Sequence, residues 1–328
     1  MKLCKRNQNG SLRDCEVNWV TYSLGVDIGG TKIATVIIDI SGKVHNRSEV
    51  PSNPSDKEKM FEQVVRSIEL VLKDSKISLN DIIGIGVGVP GKVDRENGIA
   101  VFQNNLPWEN FPIASRLREY FSIENIVVDN DVYMATFAEW KVSNTSEQET
   151  FVYLTVSTGI SCSIIHQGSF LSGHGFAGEL GLLPVIAQST SGRIERLEKT
   201  AAGPAIQKHT EDKFKDTELT TKDFFEKYKE GNSDAKALMD EVVNSLAHGI
   251  YSIICLLDPH KIVLGGGVIN NNPFLLDLIK DSLKHYLIPE QEHALGHLYV
   301  SELKSDSGVI GAGLKGIKDI RNSGKGGG

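Results

Sequence analysis

The sequence predicts an α/β fold of two lobes, each a mixed sheet flanked by helices, with a cleft between the lobes. Three observations support this prediction. Apolar runs of strand length alternate with longer segments of helical period. A pair of strands around a small, glycine-containing turn occurs near the start of the chain and again near its middle. The chain, at 328 residues, is also long enough for about two domains.

The first half begins with two β-branched runs around a Gly-Gly turn. This pattern predicts a β-hairpin, because glycine tolerates the positive φ that tight turns often need. A segment with apolar residues at helical spacing follows, and then a buried strand, a second helix and a further strand. The predicted elements are strands at 22–26 and 33–39, a helix at 56–73, a strand at 82–89, a helix at 113–120 and a strand at 126–128.

The second half repeats the strand–turn–strand pattern and then becomes helical. The strands are predicted at 151–156 and 160–166, around a turn of Ser157, Thr158 and Gly159. A long amphipathic helix is predicted at 233–257, and it ends at Asp258-Pro259 because proline cannot continue a helix. A strand from residue 261 then enters a triple-glycine turn, and a last helix is predicted at 309–320.

The pattern divides the chain as follows. Residues 1–22 are predicted to be a flexible extension, and the glycine-rich residues 323–328 a flexible tail. Residues 23–131 form the smaller N-terminal lobe, which the C-terminal helix at 306–322 packs against and completes. Residues 132–305 form the larger lobe.

The turn at residues 27–32, DIGGTK, carries the most informative chemistry. Backbone N–H groups at Gly29 and Gly30, with Thr31 and Lys32 beside them, are suited to bind phosphate oxygens. Asp27 is a candidate ligand of Mg²⁺, directly or through water. The turn matches neither the GxxxxGK[ST] loop nor the GxGxxG fingerprint. The alternative is an ordinary hairpin turn, in which Gly-Gly is frequent.

Composition excludes several classes of function. Apolar residues make up 40% and charged residues 23% of the chain, as in globular proteins. The net charge of −7 argues against a general affinity for nucleic acid or anionic membrane, and we expect neither partner. No apolar stretch approaches the roughly 20 residues that span a bilayer. The scattered cysteines show no CxxC spacing, which favours reduced thiols and a cytoplasmic location.

Seven short motifs, in this order and spacing, resemble the ROK family of sugar kinases and sugar-sensing repressors. The resemblance covers nearly everything from Leu24 to Ile320 and is closest to the N-acetylmannosamine kinase and glucokinase branch. It implies the two-lobed, ribonuclease H-like fold of the actin-like ATPases and binding of ATP with Mg²⁺. The motifs are DIGGTK at 27–32, GVPG at 88–91, NLPW at 105–108, DND at 129–131, GELG at 178–181, LE at 197–198 with AGP at 202–204, and LGGG at 264–267.

Asp131 is the candidate catalytic residue. A carboxylate at the end of a buried strand and in the cleft can accept the proton of a sugar hydroxyl as the hydroxyl attacks the γ-phosphate of ATP. The alternative is a structural N-cap for the helix that starts at Val132, because aspartate is a favoured cap. Asn130 is expected to hydrogen-bond a sugar hydroxyl, or else to be a turn residue.

The resemblance implies the remaining site residues. Glu179 and Glu198 match the carboxylates that bind sugar hydroxyls, a task that suits charged acceptors. Asn105 and Gly91 match further sugar contacts, and Trp108 either shields the pocket or packs in the core. The expected nucleotide contacts beyond the first turn are Thr158, Gly159, Gly265, Gly266 and Gly267.

The chain departs from the family where many relatives carry a histidine and a cysteine-rich zinc knuckle. Leu182 replaces the histidine, and Ser189, Ser191 and Arg196 stand where cysteines are expected. A structural zinc needs about four cysteine or histidine ligands, so we expect no zinc site. Because the histidine also contacts the sugar in relatives, its loss leaves the identity of the sugar open.

Three functions compete. The first is an ATP-dependent kinase that phosphorylates a hexose such as glucose or N-acetylmannosamine, at the 6-hydroxyl. The second is a transcriptional repressor, but only 23 residues precede Leu24 and they show no helix-turn-helix pattern. The third is a sugar-binding sensor without kinase activity, against which the presence of Asp27, Thr31 and Asp131 argues. The family resemblance also implies a homodimer.

Overall fold

The computed structural model describes residues 21–103, 105–187 and 192–323. Nearly all of the predicted N-terminal extension and C-terminal tail therefore lies outside the described residues. The first half contains β1 Tyr22–Ile28, β2 Lys32–Asp39, β3 Val44–Pro51, α1 Lys57–Ser75, β4 Ile82–Val89, β5 Lys92–Asp94, β6 Ile99–Phe102, β7 Glu109–Phe111, α2 Ile113–Phe121 and β8 Ile126–Asn130.

The second half is richer in helices. It contains α3 Asp131–Val142, β9 Thr150–Val156, β10 Ile160–His166, β11 Ser169–Phe170, β12 Pro184–Ala187, β13 Arg193–Arg196, α4 Leu197–Ala201, α5 Gly203–Phe214, α6 Thr221–Lys229, α7 Ser233–Leu257, β14 Lys261–Gly265, α8 Gly267–Asn271, α9 Leu275–Leu283, β15 Leu298–Val300 and α10 Ser307–Ser323.

The two main sheets have the same topology. The first has the strand order β3-β2-β1-β4-β8, and the second has the order β11-β10-β9-β14-β15. In each sheet the first three strands are antiparallel, and the third, central strand pairs in parallel with the fourth, which pairs in parallel with the fifth. The structure thus has two halves of like topology, as the repeated strand–turn–strand pattern indicates. Smaller antiparallel sheets join β5, β6 and β7, and β12 with β13.

Each main sheet has its own apolar core. Helices α1 and α2 cover one face of the first sheet, and α7 and α9 cover one face of the second. The α1 helix begins at residue 57 because the Asp56 side chain accepts hydrogen bonds from two backbone N–H groups of the first turn. Helix α7 ends at Leu257, directly before the Asp258-Pro259 pair that predicted its end.

Helix α10 packs against the other face of the first sheet at very short range. A Cβ atom placed at Gly25 would lie 2.1 Å from the carbonyl oxygen of Val309, and one placed at Gly86 would lie 1.8 Å from that of Ala312. Glycine is therefore required at both sheet positions. Helix α10 also contacts α3, at Gly311, where a Cβ would lie 1.8 Å from the carbonyl oxygen of Met134.

The chain passes between the sheets twice. Helix α3 connects β8 of the first sheet to β9 of the second, and the segment 301–306 connects β15 of the second sheet to α10 on the first. The lobe boundaries given above remain a prediction. No described helix combines the length and apolar character needed to span a membrane.

Candidate active site

The first turn joins β1 to β2. The Gly29 N–H donates to the carbonyl oxygen of Lys32 over 2.9 Å, and the Ser52 hydroxyl donates to the carbonyl oxygen of Gly29 over 2.6 Å. A Cβ at Gly30 would lie 3.0 Å from the Cβ of Asn105. The predicted phosphate-binding turn therefore faces the loop that carries a predicted sugar contact.

Asp27 lies at the end of β1, directly before this turn, and its side chain is partly buried. Burial, together with the smaller effect of the nearby charge of Asp131, raises its pKa to about 7, whereas Lys32 and Arg47 oppose the shift. A Cβ at Gly308, near the start of α10, would lie 3.0 Å from Oδ2 of Asp27. The carboxylate is thus enclosed between the first sheet and the beginning of α10.

The cations near Asp27 are paired with other groups. Lys32 Nζ lies 3.1 Å from Oε2 of Glu49, and an Arg47 nitrogen lies 2.8 Å from the same oxygen. Arg47 also approaches Asp306, with 3.4 Å between Nε and Oδ1. The phosphate contact predicted for Lys32 requires its side chain to leave Glu49, and an exposed pair of this kind holds it by less than about 1 kcal/mol.

Asp131 is the first residue of α3, and Asn130 is its N-cap. The Asn130 Oδ1 atom accepts a hydrogen bond from the Val132 N–H over 2.9 Å, and its Nδ2 donates to the carbonyl oxygen of Gly91 over 3.0 Å. The same N–H also lies 2.9 Å from Oδ1 of Asp131, but the helix begins at Asp131 itself, so the alternative in which Asp131 caps a helix starting at Val132 is wrong. Asn130 is already bonded within the protein at both ends of its amide, so a sugar hydroxyl would share these atoms.

Asp131 and Asp27 meet at one corner of the first sheet. A Cβ at Gly88, on β4 between their two strands, would lie 3.5 Å from Oδ1 of Asp27 and 3.6 Å from Cα of Asp131. Burial raises the pKa of the Asp131 carboxyl, and the Val132 N–H partly offsets this effect. Two carboxyl groups with raised pKa values, close together at the carboxyl ends of β1 and β8, are typical of a functional site.

A group of ion pairs around the buried Asp129, next to Asp131, was missed by the sequence analysis. Asp129 is 2% exposed, and its Oδ1 lies 2.6 Å from Nε of Arg95, while its Oδ2 binds Nζ of Lys315. The Arg95 guanidinium also lies 4.3 Å from the ring centre of Tyr133. Asp129 is part of the DND motif, but nothing local identifies its partners, which come from a distant loop and from α10.

The predicted sugar loop is held by a close approach of backbones. Gly91 has φ +80°, and a Cβ there would lie 2.3 Å from the carbonyl oxygen of Phe102, so glycine is required. Asn105 is exposed at the end of this loop. Trp108 is 2% exposed, stacks on Phe111 at 4.6 Å and donates from Nε1 to the carbonyl oxygen of Lys57. Trp108 therefore packs in the core and does not cover the site.

Glu179 and Glu198 lie together beside the second turn. An Oε2 atom of Glu198 would be 3.3 Å from a Cβ at Gly181 and 3.8 Å from one at Gly159. Burial raises the pKa of Glu179, and the charge of Glu198 adds to this effect. Gly178 has φ +94° and packs its backbone against Cys162, which fixes the direction of the GELG segment.

The second turn and the triple-glycine turn are in contact. The Ser157 N–H donates to the carbonyl oxygen of Gly159, and the Gly203 N–H donates to that of Ser157. Gly266 has φ +85°, and a Cβ there would lie 2.4 Å from the carbonyl oxygen of Val156. A cavity of about 730 Å³ opens between these turns and helices α5, α6 and α8, and its lining includes Ser157, Thr158, Gly203, Gln207, Phe225, Gly267 and Asn271.

The predicted site residues thus form two groups, one on each sheet. The first group is Asp27, Gly29, Gly30, Thr31, Gly91, Asn105, Asn130 and Asp131. The second is Thr158, Gly159, Glu179, Glu198, Gly265, Gly266 and Gly267. Within the ranges that the structure describes, no hydrogen bond or ion pair joins the two groups. A further cavity of about 970 Å³ adjoins the second group at Thr158, Glu195 and Glu198.

The expected absence of zinc concerns the segment between β12 and β13. Residues 188–191, which include Ser189 and Ser191, lie outside the described residues. Leu182 and Arg196 are exposed on either side of that segment. Among the described residues, no three histidine, cysteine, aspartate or glutamate side chains are grouped to hold a metal ion, and Cys162 and Cys255 are free thiols.

Comparison with known proteins identifies the class. The sequence model of the ROK family matches residues 23–314. The chain belongs to the ROK family, as its motifs indicate. It is 29% identical over 322 residues to a glucokinase of Halalkalibacterium halodurans, with 92% of this chain and 96% of that protein covered. It is 25% identical to a xylose repressor of Caldicellulosiruptor bescii, over 90% of this chain and 78% of the repressor.

Solved structures agree on the fold. A ROK hexokinase from Thermus thermophilus superposes with a TM-score of 0.75 at 27% identity, over 92% of this chain and all of that one. A ROK glucokinase from Streptomyces griseus, solved with glucose and AMPPNP, superposes with a TM-score of 0.73 at 23% identity, over 89% and 98% of the chains. The predicted α/β fold of the actin-like ATPases is confirmed.

Proposed function

We propose that this chain is an ATP-dependent sugar kinase that transfers the γ-phosphoryl group of ATP to the 6-hydroxyl of a hexose. The observation that carries the proposal is that Asp27 and Asp131 lie close together at the carboxyl ends of β1 and β8, on either side of β4 and next to the glycine turn. The glucokinase and hexokinase relatives support the same conclusion.

In the proposed mechanism, Asp131 is the general base. Its carboxylate accepts the proton of the sugar hydroxyl while the hydroxyl oxygen attacks the γ-phosphorus, and ADP leaves. A raised pKa strengthens Asp131 as a base, provided that the pH is high enough to keep it ionised. Asn105, Asn130, Glu179 and Glu198 orient the sugar.

The nucleotide is proposed to bind at the second turn. The cavity beside Thr158 and Gly267 lies within the range of a ligand pocket, and it is partly lined by apolar atoms of Phe225 and Val268. Backbone N–H groups at Thr158, Gly159 and Gly30 are the proposed phosphate donors, and that of Gly29 would have to leave the carbonyl oxygen of Lys32 to join them. The flat base would lie against the triple-glycine turn.

The donor set at Asp27 suits Mg²⁺. The carboxylate is partly buried, its pKa is raised to about 7, and the cations Lys32 and Arg47 are engaged with Glu49. Asp27 is therefore the residue proposed to hold Mg²⁺, directly or through water. A bound Mg²⁺ would neutralise charge on the phosphate oxygens of ATP.

A panel of sugars tests the proposal. ADP release would be measured with MgATP and about a dozen sugars, including glucose, mannose, N-acetylglucosamine and N-acetylmannosamine. We expect turnover with a gluco- or manno-configured hexose, glucose first because the relatives carry that name, with N-acetylmannosamine second. Absence of ADP release above background with every sugar would refute the kinase and favour a sugar sensor, the function class to which the repressor relative points.

Replacing Gly267 by alanine tests the nucleotide site. A Cβ at this position has room in the free protein, since the nearest atom, Oγ of Ser157, lies 3.7 Å away. We therefore expect an unchanged melting temperature but a KM for ATP raised at least about tenfold, because the methyl group would displace the base or phosphates. Gly296→Ala, where a Cβ meets nothing within 4 Å, is the matched control. An unchanged KM for ATP would remove Gly267 from the site.

The lobes are proposed to close over the sugar, because water left in the site would hydrolyse ATP. Small-angle X-ray scattering with and without saturating sugar measures this closure. We expect the radius of gyration to fall when sugar binds. The same profile in both samples would contradict closure.

Three further proposals come from the sequence: the first from the family resemblance, the second from the cysteines and the third from the pattern of elements. The chain forms a homodimer, acts in the cytoplasm, and divides into lobes at residues 131 and 305. Light scattering coupled to size exclusion measures the first. Limited proteolysis measures the last, with cleavage expected near the boundaries before it occurs within either sheet.

A further inference from the structure

One buried carboxylate has no part in the mechanism above. Glu139 lies near the C-terminal end of α3 and is 1% exposed. Its Oε1 atom accepts hydrogen bonds from the hydroxyls of Ser301 and Ser307, the second over 2.7 Å. Burial of a carboxylate is costly unless hydrogen bonds compensate for the lost water, so this site is built around the two serines.

The two serines lie at the two ends of the segment that connects β15 of the second sheet to α10 on the first sheet. Ser301 follows β15 and donates its N–H to the carbonyl oxygen of Leu264 in the second sheet. Ser307 is the first residue of α10, which lies on the first sheet. Glu139 is on α3, which is the other connection between the two sheets. The Glu139 carboxylate therefore binds both ends of the first connection to helix α3.

The second sheet also reaches this cluster. The hydroxyl of Tyr153, on β9, lies near Ser307, and burial together with the charge of Glu139 raises its pKa. The same hydroxyl would lie 2.2 Å from a Cβ at Gly265, so it packs against the start of the triple-glycine turn. The cluster thus touches the element proposed to receive the nucleotide base.

The cluster also connects to both aspartates of the site. Asp131 is the first residue of the helix that carries Glu139. Ser307 is followed by Gly308, which packs against the Asp27 carboxylate. The Glu139–Ser307 hydrogen bond therefore joins the helix that carries the proposed base to the residue that encloses the proposed Mg²⁺ ligand.

We propose that the hydrogen bonds from Ser301 and Ser307 to Glu139 hold helix α3 against the segment that connects β15 to α10. They thereby position Asp131 relative to Asp27 when the lobes close. This inference rests on the proposed kinase function. Glu139 is a positioning residue, since it touches neither the sugar nor the nucleotide. Serine side chains are short and the cluster is buried. Loss of one hydroxyl therefore weakens the contact between α3 and the connecting segment without changing any surface that binds sugar.

Ser307→Ala tests the proposal. Since a misplacement of about 1 Å can cost about a hundredfold in rate, we expect kcat to fall at least about tenfold. The KM for sugar should stay within about twofold of wild type, because the sugar contacts are unchanged. The matched control is Ser282→Ala: Ser282 is also buried and donates to Asn244 over 2.9 Å, but it joins α9 to α7 within the second half. Its kcat should stay near wild type.

A double-mutant cycle strengthens the test. Glu139→Ala and Ser307→Ala together should lower kcat no more than Glu139→Ala alone, since Glu139→Ala already removes the Glu139–Ser307 hydrogen bond, along with the one from Ser301. If Glu139→Ala does not fold, the Ser301→Ala and Ser307→Ala pair takes its place. The proposal would be overturned if the wild type is active and Ser307→Ala has the same kcat. It would also be overturned if the effects of the two substitutions on kcat are additive. An inactive wild type would instead refute the kinase function.

Discussion

Replacement of Asp131 by asparagine is expected to lower the turnover of sugar phosphorylation by about 10²- to 10⁴-fold, the usual contribution of a general base. Asparagine keeps the size of the side chain but cannot accept the proton of the sugar hydroxyl. Helix α3 should remain intact, because its N-cap hydrogen bond comes from Asn130. Sugar affinity, measured by calorimetry without ATP, should therefore stay within a few-fold of wild type.

The control for this variant is Asp240→Asn, which makes the same chemical change at an exposed position of α7. It should leave turnover unchanged. Turnover near the wild-type value in Asp131→Asn would exclude Asp131 as the base, and lost sugar binding would assign it to substrate binding. The pH profile adds a check: since the pKa of Asp131 is raised, wild-type turnover should fall with decreasing pH earlier than an ordinary aspartate would cause.

The parts of the fold that the sequence predicted well are those determined by local chemistry. The β1–β2 hairpin follows from its Gly-Gly turn, and α7 ends at residue 257 because a proline comes two residues later. The strand that leads to Asp131 follows from its run of apolar residues. The repeated strand–turn–strand pattern also predicted two halves, which the matching strand orders of the sheets confirm.

The parts that sequence reasoning missed depend on residues far apart in the chain. The hydrogen bond of Ser307 to Glu139 spans 168 residues, and that of Lys315 to Asp129 spans 186. No periodicity indicates such a partner. The sequence left open an N-cap role for Asp131 because aspartate and asparagine are both good caps, and only the backbone geometry at residue 130 identifies Asn130 as the cap.

Asp27 links activity to stability. Its folded pKa of about 7 lies above the ordinary aspartate value of 3.8, so the folded state binds the proton more tightly than the unfolded state does. The stabilising contribution of the protonated carboxyl is fully present below about pH 4. It is lost as the pH rises towards 7, where the ionised, partly buried carboxylate opposes folding. Mg²⁺ bound at Asp27 would favour the ionised form and offset this cost.

Replacement of Asp27 by asparagine should therefore abolish activity and stabilise the protein. Turnover should fall at least about a hundredfold, since the metal contact contributes several kcal/mol to the transition state. Without Mg²⁺, the free energy of unfolding at pH 8 should rise by about 1–3 kcal/mol, because a neutral side chain replaces an ionised one. At pH 4.5 the gain should largely disappear. Asp223→Asn should show the opposite sign, since Asp223 has a lowered pKa and accepts the Thr220 N–H and hydroxyl at the start of α6. Equal unfolding free energies of Asp27→Asn and wild type at pH 8 would show that ionised Asp27 does not oppose folding.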